Sequence, residues 1–156
     1  MKGDAAVKRR LKVGKKYERI VLEYLQEHGV ACSSPEVTEN FTERDVDILL
    51  DDGRVIEVKS RSKTCPFTCP EDFRFPTIFV DTQQGYLLKD VKPAFYVIIS
   101  QVDGSMVWID GKTHPEWAIE QVYDSQLGYK TWTYVADKGL LRHIDDLIAE
   151  LTEDQE

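Results

Sequence analysis

The sequence predicts a mixed α/β fold, a central mixed β-sheet flanked by helices, and three observations carry that expectation. An amphipathic helical stretch opens the chain, apolar and alternating strand-like runs fill its middle, and further helical stretches are interspersed among the strands. Neither an internal repeat nor a linker interrupts this order, so the 156 residues are expected to form a single domain, 1–156, large enough to bury a core without disulfide support. With 42% hydrophobic and 31% charged residues, the composition is that of a folded chain and argues against disorder.

From about Lys8 to His28, Val13, Tyr17, Ile20, Val21, Tyr24 and Leu25 recur at three- and four-residue steps, and Gly29 ends the helix they define. Residues 30–44 read as strand or loop with turn chemistry at Ser33-Ser34-Pro35. Asp45 to Arg61 reads as a β-hairpin, and residues 62–76, with three prolines and no periodicity, as a long loop. A short strand from Thr77, a helical turn over Gln83 to Lys89, a buried strand from Ala94 and a strand at Met106 to Ile109 follow. Thr113 with Glu116 three residues on, and Pro115 between them, forms a capping box that predicts a helix through about Gln126. Lys130 to Val135 alternates as a strand, and Leu140 to Leu151 closes the chain as an amphipathic helix with an acidic end.

The formal charge of −8 excludes a uniformly basic nucleic-acid binder, but its distribution is uneven. Residues 1–20 hold eight basic side chains against Asp4 and Glu18, a balance of +6 that leaves −14 for the rest. This basic N-terminal segment, about residues 1–12 running into the first helix, presents Lys8, Arg9, Arg10, Lys12, Lys15, Lys16 and Arg19 either to solvent or to a phosphate backbone. No apolar run reaches membrane-spanning length and no apolar export core follows the N-terminus, which makes the cytoplasm the expected compartment. Cys32, Cys65 and Cys69 form an odd set, which favours free thiols over a disulfide framework or a zinc site.

The hairpin is where chemistry enters. If Asp51-Asp52-Gly53 is a three-residue loop with Gly53 left-handed, Ile48 faces Ile56 and Asp47 faces Glu57; a two-residue loop shifts the register by one. The apolar pattern selects the first arrangement, with Val46, Ile48, Leu50, Ile56 and Val58 on one face and Asp45, Asp47, Glu57 and Lys59 on the other. Opposed carboxylates repel unless something positive lies between them, and a hard divalent cation meets that need with one or two carboxylates plus waters. Lys59 shares their face and supplies a cation for a phosphate or a metal-bound water. The alternative is a hydrated hairpin in which Asp45 pairs with Lys59. Glu18, at the border of the helix's buried stripe with Gly14 one turn earlier, favours the site, because a carboxylate there costs free energy unless it is paired.

Glu18, Asp47 and Glu57-Val58-Lys59 together resemble the PD-(D/E)XK nuclease superfamily. Within it, Gly14, Glu18, Asp47-Ile48 and Ile56 to Arg61 are most similar to archaeal-type Holliday-junction resolvases. The resemblance covers about residues 12–61 and implies a restriction-endonuclease-like sheet and cleavage of DNA phosphodiesters to 5′-phosphate and 3′-hydroxyl ends. It implies Mg²⁺, with Mn²⁺ able to substitute, held by Asp47, Glu57 and Glu18, directly or through water, with Asp45 as a rival ligand. Lys59 would orient the attacking water or stabilise the transition state. A homodimer acting on branched DNA, the four-way junction, in a prokaryotic or phage-like cytoplasm is the setting implied, since two symmetric nicks suit a two-fold assembly. Arg61 joins the basic residues expected to contact DNA, and Ser33 and Ser34 are candidates for substrate contact. The alternatives are a nicking or site-specific endonuclease of the same fold and a nucleic-acid-binding protein with an inactive nuclease site. Trp108, Trp117 and Trp132 are expected in the core, and Gln83 and Gln84 on the surface.

Overall fold

The computed structural model describes residues 2–35, 46–124 and 128–153, the side chains of 2–13 and of Asp124 excepted. In chain order the elements are α1 (Lys2–Glu27), β1 (Cys32–Ser33), β2 (Ile48–Leu50), β3 (Val55–Arg61), β4 (Thr77–Thr82) and α2 (Gln83–Leu88). After them come β5 (Phe95–Ser100), β6 (Met106–Asp110), β7 (Ala118–Asp124), β8 (Tyr129–Asp137), β9 (Arg142–His143) and α3 (Ile144–Glu153).

Six strands form a mixed sheet in the order β1-β2-β3-β5-β6-β9, in which only β3 and β5 run parallel. A parallel pair needs a crossover, and β4 with α2 provides it. One face of the sheet, through Ile48, Ile56, Val58, Val97 and Trp108, packs on Val21 and Leu25 of α1 and Leu147 and Leu151 of α3. The opposite face, through Tyr96, Ile98, Val107 and Ile109, packs on α2 and on a second, three-stranded sheet ordered β4-β8-β7. The sheet is thus flanked by helices, but on its second face strands do most of the covering.

Local chemistry explains the boundaries. Gly29, at φ +87°, ends α1 in the left-handed conformation that spares a glycine the Cβ clash, and the Val30 N–H returns to the Leu25 carbonyl at 2.9 Å. α1 begins at Lys2, so the basic segment expected to precede the helix forms its first turns. In the hairpin, the Leu50 N–H donates to the Arg54 carbonyl at 2.9 Å and Gly53 sits at φ +92°, closing the expected three-residue loop; Ile48 pairs with Ile56.

Two expectations are corrected. The helix predicted from Thr113 to about Gln126 is a 3-10 turn, Gly111–Glu116, followed by strand β7. Asp110 caps the turn by accepting the Lys112 N–H at 2.9 Å, while the Thr113 hydroxyl donates to the Asp110 carbonyl and accepts the Trp117 indole N–H. Ile119, Val122 and Tyr123 then favour an extended chain, and pairing with β8 from Ala118 to Asp124 overrides the local helix signal. The closing helix starts at Ile144, because Lys138–Leu140 form a 3-10 turn and Arg142–His143 add an edge strand. Part of the strand or loop expected over 30–44, the end of the helix expected to reach Gln126, and residues 154–156 of the acidic end lie outside the described residues.

Candidate active site

The parallel register β3 to β5 aligns Glu57 with Tyr96 and Lys59 with Ile98, so both charged side chains project from the face covered by β4 and α2. Asp47 stands one residue before β2, at the position opposite Glu57 that the hairpin register dictates. Its Oδ2 accepts the Val58 N–H at 2.8 Å, and its carboxyl shares a hydrogen bond with Glu18 of α1. Helix and hairpin therefore bring Glu18, Asp47, Glu57 and Lys59 together as the sequence predicts.

Three residues that sequence reasoning missed complete the cluster. Asp81, at the end of β4, accepts from Lys59 Nζ at 3.3 Å on Oδ1, and from Lys89 Nζ at 2.8 Å and the Tyr96 hydroxyl at 3.0 Å on Oδ2. Glu57 Oε1 lies 3.4 Å from Lys59 Nζ and 3.8 Å from Lys89 Nζ, so Glu57, Lys59, Asp81 and Lys89 form a closed ring of alternating charge. Lys89 is only 6% exposed. Lys92 holds the end of α2 in place by donating to the carbonyls of Tyr86, Leu87 and Lys89. Gly85 allows the tight approach: a Cβ there would stand 2.7 Å from Thr82 Oγ1 and 3.3 Å from Asp81 Oδ1.

Of the three, only Tyr96 carries a signal in the sequence. Val80 and Asp81 are both buried, since a bulge between Phe79 and Asp81 breaks the two-residue period and turns the carboxylate inward. A tyrosine in a fully buried run such as Phe95 to Ser100 needs a partner for its hydroxyl, and Asp81 is that partner. Lys89 reads as an ordinary surface lysine at a helix end until the crossover folds it under β4.

Burial raises the Asp47 carboxyl to about 7, with the charge of Glu18 adding to the effect. Burial likewise raises Glu57 to about 7, although Lys59 opposes it. Burial would also raise Asp81, but Lys59 and Lys89 outweigh it and hold that carboxyl below the ordinary aspartate range. Glu57 is 7% exposed, and its Oε2 is buried without a hydrogen-bond partner. Such an orphan acceptor costs free energy unless a proton or a cation meets it.

The residues that could hold a magnesium-type ion are Glu57 and Asp47, with Glu18 reaching it through water. Among the described residues no three acidic, imidazole or thiolate groups stand close enough to hold a metal by themselves, and Mg²⁺ does not need three. Replacing Asp81 with Asn leaves Lys89 buried without its nearest counter-charge. The variant is expected to lose about 3 kcal/mol of stability in urea denaturation, a loss that a peripheral ion pair would not produce.

The other candidates are placed as follows. Lys15, Lys16 and Arg19 are exposed on α1, while the side chains of Lys8, Arg9, Arg10 and Lys12 lie outside the described residues, as does Asp45, the rival ligand. Arg61 donates to the Phe79 carbonyl and stands over the Phe79 ring, so its guanidinium braces β3 against β4. Ser33 and Ser34 are exposed at the sheet edge beside β2. Cys32 is buried in the core under α1, and Cys65 and Cys69 are partly buried; all three are free thiols. Trp108 and Trp117 are core residues, whereas Trp132 is not: it is 54% exposed. No family model, curated protein or solved structure matches the chain.

Proposed function

We propose that the chain is a Mg²⁺-dependent DNA endonuclease of the PD-(D/E)XK, restriction-endonuclease-like type, most closely a resolvase of four-way junctions acting as a homodimer. The observation that carries this reading is the convergence of Glu18, Asp47, Glu57 and Lys59 from a helix and a hairpin, with Glu57 Oε2 left buried and unpartnered.

When bound, Mg²⁺ or Mn²⁺ supplies a Lewis acid for a phosphate oxygen and a water of lowered pKa. Asp47 and Glu57, as carboxylates, would hold it. The hydrogen bond from the Val58 N–H fixes the Asp47 carboxylate against the strand it faces. Lys59, 3.4 Å from Glu57 and 3.3 Å from Asp81, keeps its charge because the two carboxylates outweigh the cost of burial. Lys59 would meet the charge developing on the phosphate, with Asp81 holding its ammonium by a hydrogen bond. The ends left are 5′-phosphate and 3′-hydroxyl.

One observation favours a second reading, a nucleic-acid-binding protein with an inactive site. Lys89 adds to the half-buried Lys59 a buried ammonium 3.8 Å from Glu57, so that carboxylate is partly neutralised from within. Incubating the protein with four-way junction, linear duplex, single-stranded and flap DNA, with and without Mg²⁺ or Mn²⁺, separates the readings. Paired symmetric nicks confined to the junction support the resolvase. Cuts in linear duplex indicate a nicking or site-specific endonuclease, and junction binding without cutting indicates the inactive site.

The basic start of α1 has its own test. Exchanging Lys8, Arg9 and Arg10 for Gln is expected to weaken binding to all DNA sequences alike. The slope of log K against log salt should flatten by about one for each phosphate that the variant no longer neutralises. An unchanged slope would make this segment a solvated helix end.

A further inference from the structure

We propose that a cleft beside the carboxylate and lysine cluster, lined by Gln83, Gln84, Tyr129, Lys130 and Trp132, takes an unstacked nucleobase of the substrate strand, with Trp132 as its stacking platform. This deepens the nuclease reading and rests on it for the identity of the polymer.

The placement of Trp132 is the starting observation. On β8 it shares a face with Tyr134 and Ala136, which are buried in the second core, yet it lies beyond the edge of that core. Its indole is 54% exposed, and Tyr129 nearby is 58% exposed. Its register partner on β7 is Gln121, which leaves the ring largely uncovered. Large aromatic surface left in water this way forgoes the free energy that burial would return.

The surroundings supply what a base needs besides a π-face. Gln83 and Gln84, at the start of α2, each carry an amide that both donates and accepts, which matches the edges of unpaired bases. Lys130 lies two residues from Trp132 on the same face of β8 and offers a cation to the adjoining phosphate. The chain has 28 acidic residues, yet no described residue lining this cleft is acidic. Its volume of about 400 Å³ is within the range of small-ligand sites.

Position ties the cleft to the cluster. Thr82, on its wall, directly follows Asp81, whose Oδ1 is 3.3 Å from Lys59 Nζ. The cleft thus begins one residue along β4 from the cluster, and in this proposal the bound strand runs from Lys59 towards Trp132. In a stacked duplex both faces of each base are covered, so the site selects a strand that is unpaired or distorted at that position.

The test uses the full chain in EDTA, so that no cleavage is needed. The probe is an oligothymidylate carrying a single 5-iododeoxyuridine, irradiated and mapped by mass spectrometry. The cross-link is expected in the β8 peptide at Trp132. Trp132→Ala should abolish it and weaken oligonucleotide binding about tenfold, and Trp132→Phe should restore binding to within about threefold of the parent. The side chain is exposed, so both variants are expected to keep the parental fold, which circular dichroism checks. A cross-link mapping elsewhere, or parental binding by Trp132→Ala, overturns the proposal. So does a Trp132→Ala protein whose sedimenting mass falls while binding holds, since the patch would then join two copies of the chain. Cross-linking at Trp132 with no cleavage of any DNA would remove the nuclease reading and leave the base site standing. Cleavage of junctions without the cross-link would do the reverse.

Discussion

Glu57→Gln, and separately Asp47→Asn, are expected to lower the proposed Mg²⁺-dependent cleavage of junction DNA by at least about 10³-fold, some 4 kcal/mol of transition-state stabilisation, while binding at low salt stays within about threefold. Both substitutions keep the shape of the side chain and remove the charge that would hold the cation. The Asn variant retains an oxygen to accept the Val58 N–H, so the hairpin keeps its register. Glu57→Gln leaves Lys59 and Lys89 paired to Asp81, so the ring loses one member without collapsing. Cleavage at the parental rate by either protein would show that the reacting phosphate lies elsewhere.

The same two variants are expected to be more stable than the parent at pH 8. The folded protein keeps a proton on Asp47 and Glu57 up to about pH 7, whereas the unfolded chain releases both near pH 4. Folding therefore binds protons across that interval, and stability falls as pH rises from about 4 to 7 and stays low above it. For one carboxyl raised to about 7 the cost at pH 8 is about 4 kcal/mol; the two repel one another, so their contributions do not add. Asp81 has the opposite sign, its contribution being present above about pH 4 and lost on acidification. Urea denaturation should thus place the parent's stability maximum in the weakly acidic range, with Asp47→Asn and Glu57→Gln gaining most at pH 8 and little at pH 5. Mg²⁺, by binding the deprotonated folded form, should raise the melting temperature of the parent at pH 8 and have little effect on the variants. A parent whose stability is flat from pH 5 to pH 8 would contradict the burial on which the site rests.

The hairpin was legible because two independent constraints agreed. The turn chemistry of Asp51-Asp52-Gly53 admits a three-residue loop, and the apolar alternation of Ile48, Leu50, Ile56 and Val58 selects it, which sets Asp47 opposite Glu57. Glu18 was legible from helical periodicity, since Val21 and Leu25 fix which face of α1 is buried. Where local and distant information conflicted, sequence reading failed. Thr113, Pro115 and Glu116 carry helix-start chemistry, but Ala118 to Asp124 answer to β8, a partner that no local signal identifies. Asp81 and Lys89 belong to the site only because the connection from β3 to β5 folds back over the sheet, and the core position expected of Trp132 failed because alternation cannot say where a core ends.

That connection also sets the order in which the molecule can assemble. The β2-β3 hairpin closes over three residues at small entropic cost, so Asp47 and Glu57 can face each other early, in water and ionised. The pairing of Ile56 with Phe95 must wait until everything from Ser62 to Ala94 is looped across, and the slower, non-local step brings Asp81 and Lys89 down onto Glu57. Glu57 is thus stripped of water only at the end, when Lys89 arrives with the crossover to join Lys59 of its own strand. The chain never has to bury Glu57 alone, and a folding intermediate that lacks β5 would carry the acidic residues of the site without its geometry.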